Sequence, residues 1–241
     1  MILKTEAKLV LREPIGIGFS LVLPLVLLLV FGAPDAARRP DPNLDGKVPI
    51  DTVMPSLALA LSFGMLAVFM LPGFMTDYRS RGILRRLSTT PVHPAKLLGA
   101  QLLVQAAVAV ASLPLVLALG AALGMDMPQH PLALALTFVV GGAALFSLGS
   151  LVAALAPDPR VGWVGSAAIF FPSLFFAGIW LQKEQMPHWL SRFGDFTPLG
   201  GFRTSVQDAW TGHPLDPLIL VVLAATAVAV SALAARVFRW Q

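Results

Sequence analysis

Six long apolar runs dominate this chain: Ile15 to Ala33, Val53 to Met75, Leu97 to Gly124, Leu132 to Ala156, Val161 to Trp180 and Leu218 to Phe238. Each is about as long as the roughly 20 residues a helix needs to cross a hydrocarbon core. No water is available at that depth, so each segment must satisfy its own backbone N–H and C=O groups, which a single segment does as a helix. The sequence therefore predicts an all-α membrane protein, one domain over residues 1–241 with six transmembrane helices. Composition agrees, with 56% of residues hydrophobic and 12% charged. The first run reads as a retained span, because Gly32-Ala33-Pro34 is a poor cleavage site for a signal peptidase.

Charge sets the direction of threading. Six spans put both termini on one side, together with the loop from Asp77 to Lys96 and the turn from Pro157 to Arg160. That side carries eleven Lys and Arg against six on the other, while the acidic residues divide four to nine. Cytoplasmic loops are enriched in Lys and Arg, so both termini are expected in the cytoplasm and the protein in the plasma (inner) membrane. The basic residues cluster at helix ends, which accounts for the pI near 10 by orientation and gives no reason to expect nucleic acid.

Several chemistries lack their residues. The chain has no cysteine, so disulfides and thiolate sites are excluded. His93, His130, His188 and His213 all fall in loops and share no helix face, which leaves no visible metal site. No span carries the buried acid or base of a proton relay. Ser147 and Ser150 have no histidine at their level, and hydroxyls in spans commonly bond the preceding turn. No G-x-x-x-x-G-K-[ST] phosphate loop occurs, so any ATP must be bound by another subunit.

Two cytoplasmic segments are amphipathic. In residues 1–13, Lys4, Lys8 and Arg12 form a basic stripe beside Leu3, Ala7 and Val10, as in a helix lying in the headgroup layer; a plain basic tail that sets topology is the other reading. In YRSRGILRRLS, Ile83, Leu84 and Leu87 make a short apolar face, and Arg81 and Arg85 sit one turn apart. Thr90-Pro91 and Pro94 end that helix. It could lie on lipid, insert into a partner's groove, or serve as a solvated basic loop. On the opposite side, residues 181–204 are rich in aromatic side chains, with Trp189, Phe193, Phe196 and Phe202 following Trp180. Such a stretch suits either a packed lid or an aromatic belt at the membrane interface.

These segments together resemble a known family. Arg81-Gly82-Ile83-Leu84-Arg85-Arg86-Leu87 with Thr90-Pro91 is similar to the cytoplasmic segment after the second span of type-2 ABC export permeases. Ser80 stands where the family usually has an acidic residue, and Ile83 where threonine is common. Arg12-Glu13-Pro14, Leu23-Pro24-Leu25 and Phe31-Gly32 resemble the family's opening. Gly178-Ile179-Trp180, Met186-Pro187-His188-Trp189-Leu190 and Thr197-Pro198-Leu199 to Arg203 resemble the segment before its last helix. The resemblance covers nearly the whole chain, and daunorubicin-resistance-type drug exporters are nearest in length and loop pattern.

The resemblance implies a permease subunit that is not itself an enzyme and binds no cofactor. Two membrane subunits, as homodimer or related pair, would work with two ABC ATP-binding subunits that hold ATP and Mg. It implies a coupling helix at 77–90, with Tyr78, Arg79, Arg81, Gly82, Ile83, Leu84, Arg85, Arg86 and Leu87 seated on the ATPase. Residues 1–13 become the interfacial helix, and 181–204 a re-entrant extracellular gate carrying Trp180, Trp189, Phe193, Phe196 and Arg203. The cargo path, built in the family from the first, second and fifth spans, would here offer Phe63, Met65, Phe69, Met70, Phe170, Phe171, Phe175 and Phe176. The same residues also suit an ordinary core or lipid-facing surface. Methionine and phenylalanine make adaptable apolar walls, fitting an amphiphilic drug or lipid and a role in multidrug efflux and antibiotic resistance. The rival readings are a haem-exporter-type permease of cytochrome maturation, a membrane-embedded enzyme and a non-transporting scaffold. Gly120 with Gly124, and Gly162 with Ser166, are candidate small-residue pairs for close helix approach.

Overall fold

A computed structural model describes residues 14–44, 46–80 and 94–237. The expected interfacial helix, with Lys4, Lys8 and Arg12, lies outside the described residues, as does the stretch Arg81 to Leu87 with Thr90 and Pro91. Every α-helix among the described residues begins with proline or directly after one, which reflects how these sequences punctuate themselves. Proline has no N–H to waste in the first turn and its fixed φ suits the helix start. At Asp158-Pro159, Thr197-Pro198 and Asp216-Pro217 the preceding side chain also caps the turn. Asp158 Oδ1 accepts from Val161 N at 2.9 Å, Thr197 Oγ1 from Gly200 N at 3.2 Å and Asp216 Oδ1 from Leu218 N at 2.9 Å.

The described helices are α1 (Pro14–Gly32), α2 (Pro49–Ser80), α3 (Pro94–Leu123), α4 (Pro131–Leu155), α5 (Pro159–Phe176), α6 (His188–Asp195), α7 (Pro198–Thr211) and α8 (Pro217–Val237). Four stretches within them are long and apolar enough to cross a membrane: Pro49–Ser80, Gly99–Leu123, Pro131–Leu155 and Pro217–Val237. The chain is a membrane-embedded helical bundle. For orientation, the end that holds Pro49, Pro131 and Pro217 is called upper, and the end that holds Ser80 and Pro159 lower.

Burial ranks the helices. In α2, 78% of the apolar window is buried, against 28% in α3 and 17% in α8, so α2 is the central post and the other two face outward. It runs unbroken for 32 residues but changes winding midway, where Met65–Met70 is π-helical and Leu71 N donates to Leu66 O, five residues back. Pro72 supplies the cause. It offers no N–H to the carbonyl four residues earlier, and its ring would clash there, so widening the preceding turn relieves the conflict. α4 packs directly on this widened turn. At Gly149 any Cβ would collide with Ala67 O, so the two helices meet backbone to backbone.

α6 and α7 form a hairpin that descends from the upper end and returns. Leu199, in the first turn of α7, packs against Gly64, halfway along α2. Phe202 joins Phe63 and Phe138 in one ring cluster, with centroids 4.8 Å from Phe63 and 5.8 Å from Phe138. Trp210, in the last turn, donates Nε1–H to Asp126 O at 3.0 Å near the start of α4. α7 thus spans only the upper half of the bundle, filling a slot between α2, α4 and α8.

Two expectations need correcting. The fifth apolar run does not continue as helix to Trp180. α5 stops at Phe176, and Gly178 adopts φ +79°, a left-handed conformation that favours glycine and ends the helix. Gly120 and Gly124 are not a helix-packing pair. Gly120 is filled by the Met125 side chain, and Gly124, at φ +79°, terminates α3. Gly162 does permit close approach, because a Cβ there would lie 2.7 Å from Thr76 Oγ1 on α2.

Candidate functional site

An apolar cavity of about 670 Å³ is walled by α1, α2, α5 and the segment after α5. α1 presents one stripe along the helix, Phe19, Leu23, Leu27 and Phe31 at intervals of four, with Pro24 and Leu28 beside it. α2 presents Met54, Leu57, Ala58, Leu61, Met65 and Phe69, so the π-helical turn sets the positions of the last two. α5 adds Phe170, Phe171 and Leu174. Gly178, Ile179, Trp180 and Gln182 close the upper side. Among these lining residues no side chain is ionisable, and Gln182 is the sole carboxamide.

That chemistry bounds what can enter. A net charge without a partner is costly to place among apolar walls, so the cavity suits hydrocarbon or aromatic bodies of about the size of a small molecule. The rings on its floor are coupled, with Phe69 5.5 Å from Phe170, 6.2 Å from Phe171 and 5.4 Å from Trp163. Trp180 is 67% exposed and Phe171 50%, so the lining runs out to the bundle surface.

The sequence-derived candidates divide here. Met65, Phe69, Phe170 and Phe171 line the cavity. Phe63 and Met70 are instead packed in the core, Phe63 against Phe138 and Phe202. Phe175 and Phe176 meet edge to face at 5.6 Å, and Phe176 reaches Phe193 at 5.3 Å on α6. The α1 stripe was not singled out from the sequence, although its four-residue spacing was a usable signal.

The expected gate residues also separate. Trp189 and Phe193 project from α6, 70% and 55% exposed, whereas Phe196 turns inward to a cluster with Ala144, Ile219 and Leu223. Arg203 is 1% exposed, its guanidinium beside Gly178. Nearby, Lys183 pairs with the Asp195 carboxylate and donates to Thr204 Oγ1 at 2.6 Å, while Thr204 Oγ1 donates to Asp195 Oδ1 at 2.7 Å. At the lower end Arg79, placed by the sequence in the coupling segment, folds back on the bundle. Its Nη1 donates to Ala156 O at 2.6 Å and its Nη2 to Ala153 O at 3.3 Å, so a cation caps the C-terminus of α4. Ser147 Oγ donates to Ala144 O at 2.7 Å and Ser150 Oγ to Phe146 O at 2.8 Å, the preceding-turn bonds of structural hydroxyls.

The comparison with curated proteins returns no match. The family model described as "ABC-2 type transporter" matches residues 1–206, which include α1 to α6 and the first two turns of α7. With a long apolar bundle and a match over most of its length, the chain belongs to the ABC-2 type transporter family of membrane proteins.

Proposed function

We propose that this chain is the permease subunit of an ATP-driven exporter that moves an amphiphilic drug, lipid or related molecule outward. In this reading α1 and α5 also cross the membrane, which makes six spans. The lower end faces the cytoplasm with both termini, and the upper hairpin sits in the outer leaflet of the plasma membrane. ATP and Mg bind a separate soluble subunit, and this chain performs no catalysis. A second permease copy completes the translocation path. Residues 1–13 lie along the membrane surface, and the segment 77–90 docks on the ATPase.

The observation that carries this reading is the apolar cavity enclosed by the first, second and fifth helices. One helix joins both ends of the proposed machine. α2 carries cavity-lining residues from Met54 to Phe69 and then runs directly to Ser80, where the basic segment begins. A displacement of that segment therefore reaches the cavity wall along a single rod. The π-helical turn lies where the rod meets the cavity and α4, and such turns are local points of compliance.

The test is charge reversal at Arg85→Glu with Arg86→Glu, in a chain co-expressed with its ATPase subunit. Loss of the permease's stimulation of ATP hydrolysis, with membrane insertion retained, is expected. Unchanged stimulation would contradict the assignment of the docking segment.

A further inference from the structure

The segment between α5 and α6 has a second property that the cargo path leaves unexplained. Gly178, Ile179, Trp180 and Gln182 form the upper wall of the cavity, yet the segment is held by the residue that follows them. Lys183 begins a short 3-10 turn, Lys183–Gln185, and is not among the residues that line the cavity. It pairs with Asp195, the last residue of α6, and donates to Thr204 in the second turn of α7. Thr204 in turn donates to Asp195, so three side chains from three elements close a triangle.

The setting makes this arrangement unusual. The side chains of Lys183 and Asp195 are only 9% and 15% exposed, and Arg203, whose guanidinium also lies at Gly178, is buried nearby. Withdrawing two charges from water costs as much as their attraction returns, and a pair of packed hydrocarbons would hold the chain at least as firmly. What an ion pair adds over hydrocarbon is position: it closes in one geometry and, once parted, both ends are readily solvated. The hairpin end of the triangle is fixed. α7 is wedged between α2 and α4, and a Cβ on Gly194 would lie 2.6 Å from Phe176 O. The strap end begins at Gly178, whose left-handed φ of 79° ends α5; Gly178 N still donates to Phe175 O and Ile179 N to Leu174 O, so the chain beyond Ile179 is what the triangle holds. Mobility at this place therefore falls to the strap.

We propose that the Lys183–Asp195–Thr204 triangle is a latch that holds the strap over the cavity, and that the cavity opens on the upper side when the latch parts. That the upper side is the outer one, and that opening releases cargo, rests on the permease reading; the latch itself does not.

The chain has no native cysteine, so one reporter suffices. Leu174→Cys places a thiol on a cavity-lining position that is 5% exposed beneath the strap. Its modification by a charged, water-soluble methanethiosulfonate is timed on the full chain in proteoliposomes. Asp195→Asn removes a charge-assisted bond and should speed labelling by about tenfold or more. Lys183→Met, which leaves the Asp195 carboxylate without its cation, should also label fast, and it serves where Asp195→Asn fails to fold. Exchange of the charges, Lys183→Asp with Asp195→Lys, should return the rate toward that of the parent.

Labelling within about twofold of the parent in both single variants would overturn the latch, because the strap would then be held without the pair. Fast labelling of the exchanged pair would overturn it as well, since the pairing would not be what closes it. None of these measurements needs an ATPase. If the latch variants behave as stated while ATP drives no transport in the complete complex, the permease reading fails and the latch stands. If transport occurs and labelling is unmoved, the reverse holds.

Discussion

The contact between Gly149 and the π-helical turn gives the sharpest quantitative prediction. On an ordinary exposed helix, Gly→Ala stabilises by about 1 kcal/mol through propensity. At Gly149 the added Cβ would meet Ala67 O, a backbone oxygen that no rotamer change can move. α4 must then withdraw from α2, or the π-helical turn must rewind, and overpacking of this kind costs about 1–3 kcal/mol. Gly99→Ala is the matching control, since no atom lies within 4 Å of its Cβ position. Thermal unfolding of the detergent-solubilised chain should show Gly149→Ala melting below the parent and Gly99→Ala at or above it. Because Met65 and Phe69 ride on the turn and line the cavity, Gly149→Ala should also weaken binding of a fluorescent apolar probe. Equal stability of the two variants would refute the backbone-to-backbone contact.

Three further outcomes follow from other sites. Arg79→Met strips two carbonyls at the end of α4 of their donor, so stability should fall by about 1–3 kcal/mol in the same melting assay. In the last turn of α7, outside the spans, burial pushes the Asp208 carboxyl up to about 6 from its ordinary value of 3.8, against the opposing pull of His213. Its neutral form is therefore favoured in the fold, so stability should decline as pH rises from about 4 to about 6, and Asp208→Asn should flatten that decline. Phe202→Ala leaves a cavity beside Phe63 and Phe138 and should cost about 3–5 kcal/mol, read as a lowered melting temperature.

The helical elements were legible because period and punctuation agree. The apolar runs mark α4, α5 and α8 to within a few residues. Residues whose role depends on a neighbour's shape were not legible. Phe63 and Phe69 are six residues apart on one helix, and nothing in the sequence says that the first meets Phe138 and Phe202 while the second faces the cavity. The π-helical turn rotates the lower part of α2 relative to its upper part, which breaks the simple 3.6-residue bookkeeping that would have sorted them. The contact that Arg79 makes was hidden for a related reason. Basic residues at the lower end look alike in sequence, and only the position of the C-terminus of α4 selects this one as its cap. The polar triangle at Lys183 joins residues 12 and 21 positions apart, beyond any local pattern.

The central claim is that a cytosolic ATPase drives this bundle through the basic segment after α2, and a cysteine at Arg85 tests its geometry most directly. In the Arg85→Cys chain, with no other thiol present, a membrane-impermeant maleimide should label inside-out vesicles and leave intact cells unlabelled. Labelling from the outside of intact cells would contradict the account, because no cytosolic motor could reach that segment.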